Sequence, residues 1–220
     1  MGMILVTGFQ GYGGRSANPA EAVAMALDGT AIAGMAVRGV ALPVEFHAVR
    51  RIVPDLIDAL RPRIVLSLGL WPGEAMIRLE RVAANWSVFE MPDMAGHRQI
   101  GAVLAGGPDG HLSTLPHDAI EARLRAAGIP CRQSGSAGTY LCNALSYLVL
   151  DHCRRSHPGT RAGFVHLPYL PAQVAALLDE LAAAGTLEQH QRADYASMGL
   201  AMMIEAIRLA LATTAGTFAP

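Results

Sequence analysis

Lysine is missing from this chain: all 17 basic residues are arginine. That excludes a Schiff-base lysine, a phosphate-loop lysine and a lysine general base. Acidic residues number 18, so charge is nearly balanced and no basic block exists to neutralise a nucleic-acid backbone. Cysteine is scarce, at three residues with no Cys-x-x-Cys pair, which leaves zinc binding and dithiol redox chemistry unsupported. Cys142 and Cys153 are 11 residues apart in one expected helix. That is roughly 16 Å of rise, too far for a disulfide. An odd cysteine count without framework spacing fits a reducing cytoplasm. The first apolar run, residues 3–6, has neither the charged leader nor the cleavage site of a signal peptide. The apolar stretch Leu200–Leu211 carries Glu205 and Arg208 and reads as a core helix, not a membrane span.

What is present is a chain of 220 residues, 52% of them apolar, enough for one α/β domain with a full core. Strand-like runs fall at Met3–Thr7, Met35–Leu42, Ile64–Leu68 and Arg161–His166, with weaker candidates at Arg78–Ala84 and Pro130–Ser134. Helical patterns cover Pro19–Leu27, Ala48–Leu60, Asp118–Ala127, Thr139–Arg155, Ala172–Ala183 and Gln189–Thr213. Asn18-Pro19 gives a cap followed by proline at the first helical position. Such alternation predicts a single-domain three-layer sandwich over residues 1–220, its mostly parallel open sheet covered by helices on both faces. Sites in these sheets gather at the carboxyl ends of the strands, where Thr7-Gly8, Gly69-Leu70 and His166 fall. Residues 85–116 hold little periodicity and read as a functional loop or lid.

Cys142 sits in Ser134-Gly-Ser-Ala-Gly-Thr-Tyr-Leu-Cys-Asn143, a glycine-rich approach to a buried helix. A thiol at a helix N-terminus meets the positive end of the dipole and unpaired N–H groups, which favour thiolate. His166 closes the apolar run from Ala162. A histidine at the end of a buried strand, beside such a cysteine, suggests a Cys–His hydrolase. Most free cysteines are simply small buried hydrophobes, and Cys131 and Cys153 fit that description. The pair needs an acid on the second imidazole nitrogen. Glu80, inside the strand-like Ile77–Ala84, is the candidate; the competing reading pairs it with Arg78 or Arg81 on a solvated face. The loop Gly8-Phe-Gln-Gly-Tyr-Gly-Gly14 follows a strand but fits neither GxGxxG nor GxxxxGK[ST].

Five segments together resemble the pyroglutamyl peptidase I (pyrrolidone-carboxylate peptidase) family of cysteine peptidases. They are Ile4–Gly14, Ser16–Pro19, Leu79–Ala83, Ser134–Asn143 and Gly163–Pro171, spread over nearly the whole chain. The resemblance implies a Glu80–Cys142–His166 catalytic set acting through a thioester. It implies no cofactor, no metal, a peptide or small amide substrate, a cytoplasmic setting and a homo-oligomer, dimer or tetramer. Phe9 and Tyr12 match the aromatics that hold the pyroglutamyl ring, and Asn18 matches a pocket asparagine. Leu70, Met91 and Leu141 are the further substrate-binding positions it implies. Nucleic acid and membrane are not expected partners.

The chain also departs from the family pattern. Leu70 and Glu74 stand where the family has Gln and Arg, Glu90 replaces another Arg, and Met94 replaces an Asn. Arg78 occupies a Ser/Thr position, and Ala144 replaces a His. The two glutamates are expected to make the pocket rim acidic, offset by Arg78 if it points the same way. These changes leave two alternatives beside pyroglutamyl cleavage: an amidase of the same fold with altered acyl specificity, or a catalytically weak ligand-binding homologue.

Overall fold

A computed structural model describes residues 2–15, 17–186 and 195–218. Seven strands form one sheet in the order β10-β5-β11-β4-β1-β3-β2. The central four are β1 (Met3–Phe9), β3 (Met35–Leu42), β4 (Ile64–Leu70) and β11 (Arg161–Leu167), all parallel. Short β2 (Ala31–Ile32) is antiparallel to β3. On the other side, β5 (Ile77–Glu80) is antiparallel to β11, and β10 (Cys131–Ser134) runs with β5. Both weaker strand candidates are therefore real strands, and Arg81 separates β5 from β6 (Val82–Ala84).

Strand periodicity sorts residues between two cores. Ile4 and Val6 of β1, Ile64, Leu66 and Leu68 of β4, Ile77 and Leu79 of β5, and Val165 and Leu167 of β11 share one core. The helices α1 (Pro19–Leu27), α3 (His117–Ala126) and α6 (Leu200–Ala215) cover it. Leu5, Phe9, Val65, Ala162 and Phe164 belong to the other core, under α2 (Phe46–Leu60) and α4 (Leu141–Ser156). Alternation then dictates that Arg78, Glu80 and His166 lie on the second face, with α4. Two-residue periodicity alone brings these three side chains to the helix that begins beside Cys142.

Close packing on the first face requires glycine. A Cβ at Gly8 would lie 2.0 Å from the Ala20 carbonyl oxygen of α1, so no other residue lets this helix approach the sheet. A smaller cluster, Leu70, Tyr169 and Leu177, seats α5 (Pro171–Ala183) at the sheet edge.

The aperiodic segment 85–116 contains β7 (Ser87–Val88), paired with β8 (Ile100–Gly101), and β9 (Gly110–Leu112), paired with β6. It is tied to the body by Asp93, whose Oδ2 accepts from Phe46 N at 2.8 Å and so caps α2. The last helix starts at Leu200, later than the pattern suggests, because Met198 N donates to Tyr169 O at 2.9 Å and holds that stretch extended. The expected start at Gln189, like Ser16, lies outside the described residues. No helix among the described residues is long and apolar enough to cross a membrane.

Candidate active site

His166 sits near the carboxyl end of β11, buried to 1% exposure. Its Nδ1 lies 2.8 Å from Glu80 Oε1. With Nδ1 as the donor to this carboxylate oxygen, Nε2 keeps its lone pair. The same Glu80 oxygen accepts from Arg78 Nε at 2.7 Å. Glu80 thus meets histidine and arginine together, but on a buried face and not on a solvated one.

Arg78 links this carboxylate to the loop before the cysteine helix. Its Nε also reaches Ser134 Oγ at 3.0 Å, and Nη2 donates to Ser136 O at 2.6 Å. Its guanidinium lies over Trp71, 3.8 Å from the ring centre, and Trp71 meets the His166 ring edge-on at 5.0 Å. Phe164 also packs on this imidazole, at 4.8 Å between ring centres.

Cys142 is the second residue of α4. The helical ladder starts with Ala144 N donating to Tyr140 O, so the N–H groups of Leu141, Cys142 and Asn143 precede it. No side chain caps this helix, and its first turn holds no acid. Asn143 anchors the turn: Oδ1 accepts from Ala84 N, and Nδ2 donates to Ala84 O and Trp86 O, each at 2.9 Å. The surroundings of the thiol oppose the thiolate that the helix start favours. Burial, and then the negative charge of Glu80, push its pKa up to about 12, against the pull of a backbone N–H. Burial also holds His166 below the ordinary histidine value, against the opposing pull of Glu80. Both shifts favour the neutral forms, thiol and imidazole.

Cys142 and His166 border one cavity of about 560 Å³ at the carboxyl ends of β1, β4 and β11. The expected positions Phe9, Tyr12, Asn18, Leu70, Met91 and Leu141 all border it too. Asn18 does so as a helix cap: Oδ1 accepts from Ala20 N and Nδ2 donates to Gln10 O, both at 3.0 Å. Trp71, Val44, Val88 and Tyr140 also line the cavity and were not anticipated. Trp71 directly follows the β4 end, where open sheets collect site residues, and that position is the signal that could have found it.

The acidic rim needs correction. Glu90 borders the cavity and is exposed. Glu74 is buried and does not border the cavity; it is hydrogen-bonded to Arg132 and lies 3.6 Å from Arg78. Burial works to raise its pKa, but Arg132 outweighs this and holds the carboxyl below its usual range. Arg78 points to Glu80 and not to the rim. Met94 is exposed and does not border the cavity. One rim charge remains where two were expected.

This is the layout of a thiol hydrolase on an open α/β sheet. The family model for pyroglutamyl peptidase matches residues 2–217, and the chain belongs to that family. It is 38% identical to the pyrrolidone-carboxylate peptidase of Pyrococcus furiosus over 78% of this chain and 83% of that one. Identity to the pyrrolidone-carboxylate peptidase of Cupriavidus taiwanensis is 34%, over 99% of this chain and 94% of that one. The solved pyrrolidone carboxyl peptidase of Thermococcus litoralis superposes with a TM-score of 0.90 at 34% identity, over 98% of this chain and 94% of that one. A mutant of the Pyrococcus furiosus enzyme gives a TM-score of 0.90 at 32% identity, over 99% and 100% of the chains.

Proposed function

We propose that this chain is a cysteine exopeptidase that removes an N-terminal pyroglutamyl residue from peptides. The observation that carries the reading is the shared cavity: a thiol and an imidazole border an apolar cleft, and the imidazole is backed by a buried carboxylate. Pyroglutamate is a neutral lactam without an α-amine. Its pocket needs apolar walls and a few hydrogen bonds but no fixed counter-charge. Phe9, Tyr12, Leu70 and Leu141 supply such walls, with Asn18 beside them.

In the mechanism, His166 Nε2 removes the Cys142 proton as sulfur attacks the acyl carbon. The imidazolium that forms keeps its Nδ1–H on Glu80, which favours the charge there. The carbonyl oxygen, now an oxyanion, is bound by N–H groups at the start of α4. His166 then protonates the leaving amine, and water hydrolyses the thioester with His166 again as base. The surroundings of both groups favour their neutral forms, so in this mechanism the pair rests neutral and proton transfer accompanies attack.

Residues 85–116 serve as a cover over the acyl site, since Val88, Glu90 and Met91 border the cavity. The whole chain works as one domain and in the cytoplasm, where a reducing environment keeps Cys142 a free thiol. It assembles as a homo-oligomer; the exposed Trp86, Ile100 and Leu112 offer apolar surface for this, and light scattering after size exclusion tests it.

Acyl specificity is tested with a panel of anilides carrying pyroglutamyl, prolyl, glutamyl and alanyl groups. Cleavage confined to the pyroglutamyl compound is expected. Faster cleavage of another acyl group would make the chain an amidase of altered specificity. Cleavage of none, with ligand still bound, would make it a binding protein.

A further inference from the structure

The far end of α4 carries a second cluster of reactive side chains. Asp58, near the end of α2, meets His152 and His157, the latter capping the end of α4. His152 Nε2 lies 2.7 Å and His157 Nε2 2.8 Å from one atom, Asp58 Oδ1. The three potential ligand atoms all lie within 4.8 Å of one another. Ten residues of helix, about 15 Å, separate His152 from Cys142, so the cluster takes no part in the cleft. No sequence motif announces it, because Asp58 comes from another helix, 94 residues away from His152.

We propose that Asp58, His152 and His157 bind a divalent transition-metal cation of the zinc class, with water completing its shell. Two imidazoles and one carboxylate suit zinc, cobalt, nickel or copper and do not suit magnesium or calcium, which take oxygen ligands. Tetrahedral zinc with bonds of about 2.0–2.1 Å places its ligand atoms roughly 3.3 Å apart. The imidazole nitrogens stand about half an ångström closer than that to Asp58 Oδ1. The Asp58 side chain is 57% exposed and can withdraw by that amount, whereas the histidines, at 14% and 19%, are held in place.

Two further features favour a cation. The carbonyl ends of α2 and α4 converge there, and both present the negative end of a helix dipole. The backbone beyond each helix is tied across the gap: Thr160 Oγ1 donates to Pro62 O at 2.7 Å, and Arg161 N to Arg63 O at 2.9 Å. The ligands therefore meet on a frame that exists before any metal arrives. A cation bound there would clip α2 to α4 in the folded chain only and so stabilise the fold by mass action.

The test is calorimetric titration of Zn²⁺ into the Cys142→Ala protein, a background that removes the cleft thiol as a competing ligand. The expected result is one Zn²⁺ per chain and a Tm rise of about 5–10 °C at roughly one hundred times Kd. Co²⁺ in the same protein should give visible absorption bands of a low-coordinate site. Asp58→Asn, and separately the His152→Gln/His157→Gln pair, should weaken binding at least about tenfold while far-UV circular dichroism shows the fold kept. No saturable binding in the Cys142→Ala protein would mean that the cluster is only a hydrogen-bonded triad and would overturn the proposal. Equal affinity in the double histidine variant would place the metal elsewhere and overturn it as well.

Discussion

A methyl group on Gly69 would lie 2.9 Å from the Cys142 sulfur and 2.8 Å from Phe164 Cζ. Bare backbone at the end of β4 thus makes the space that the thiol occupies. Gly69→Ala should push the sulfur from its attack position and overpack the core. We expect kcat to fall about 10²-fold and stability to drop by about 1–3 kcal/mol. Unchanged kcat/KM in steady-state assays would show that the thiol position tolerates the shift.

The protonation states set the pH profile. His166 must be neutral to act as base, so activity is present above its pKa and lost as pH falls through it. Burial lowers that pKa, so the acid limb of kcat/KM should lie below 6.5, the ordinary value for histidine. The thiol, pushed up to about 12, adds no limb near neutrality. A plateau from mildly acid to alkaline pH is expected. A second limb near pH 8–9, the range of an ordinary thiol, would contradict a neutral resting pair.

Glu80 and Arg78 act on His166 with opposite signs. Glu80→Gln removes the group that favours imidazolium, so the acid limb should move to lower pH while kcat drops about 10²- to 10⁴-fold. Arg78→Met removes a nearby positive charge, so the limb should move to higher pH. It also leaves buried Glu80 without its arginine, at a cost of about 3–5 kcal/mol in stability. Parallel shifts of the two limbs in pH–rate measurements would rule out this division of roles.

Glu90 is the one replaced rim residue that remains exposed at the cavity. Peptides with a basic residue after the scissile bond should be favoured over acidic ones by only a few-fold, because exposed charges are screened. The preference should shrink in high salt and vanish in Glu90→Gln. Glu74→Gln should leave this preference alone and instead destabilise the fold by removing the partner of Arg132.

The residues that border the cavity were legible from the chain where they sit at strand ends. His166 and Leu70 follow from the carboxyl-edge rule and Cys142 from its small-residue approach to an apolar helix, whereas Phe9 and the choice of Glu80 rested on the family resemblance. The direction of Arg78 and Glu74 was not legible. Whether a charged side chain turns to the rim or to the interior depends on Arg132 and Ser136, partners 58 residues away in both cases. The forces that oppose thiolate were not legible, because the helix dipole is a local signal whereas burial and the Glu80 charge come from tertiary packing. The ladders within 85–116 were missed because strands of two or three residues show no measurable period.

The most direct test is the rate at which a fluorescent amine is released from a pyroglutamyl anilide by the native chain and by Cys142→Ala. With Glu74 buried, the plain anilide meets no acidic barrier beyond Glu90, so the native chain should turn it over readily. Cys142→Ala should keep its fold by circular dichroism and lose at least about 10³-fold in kcat. Hydrolysis that survives in Cys142→Ala, or no turnover by the folded native chain, would contradict the central claim that Cys142 is the nucleophile of a pyroglutamyl peptidase.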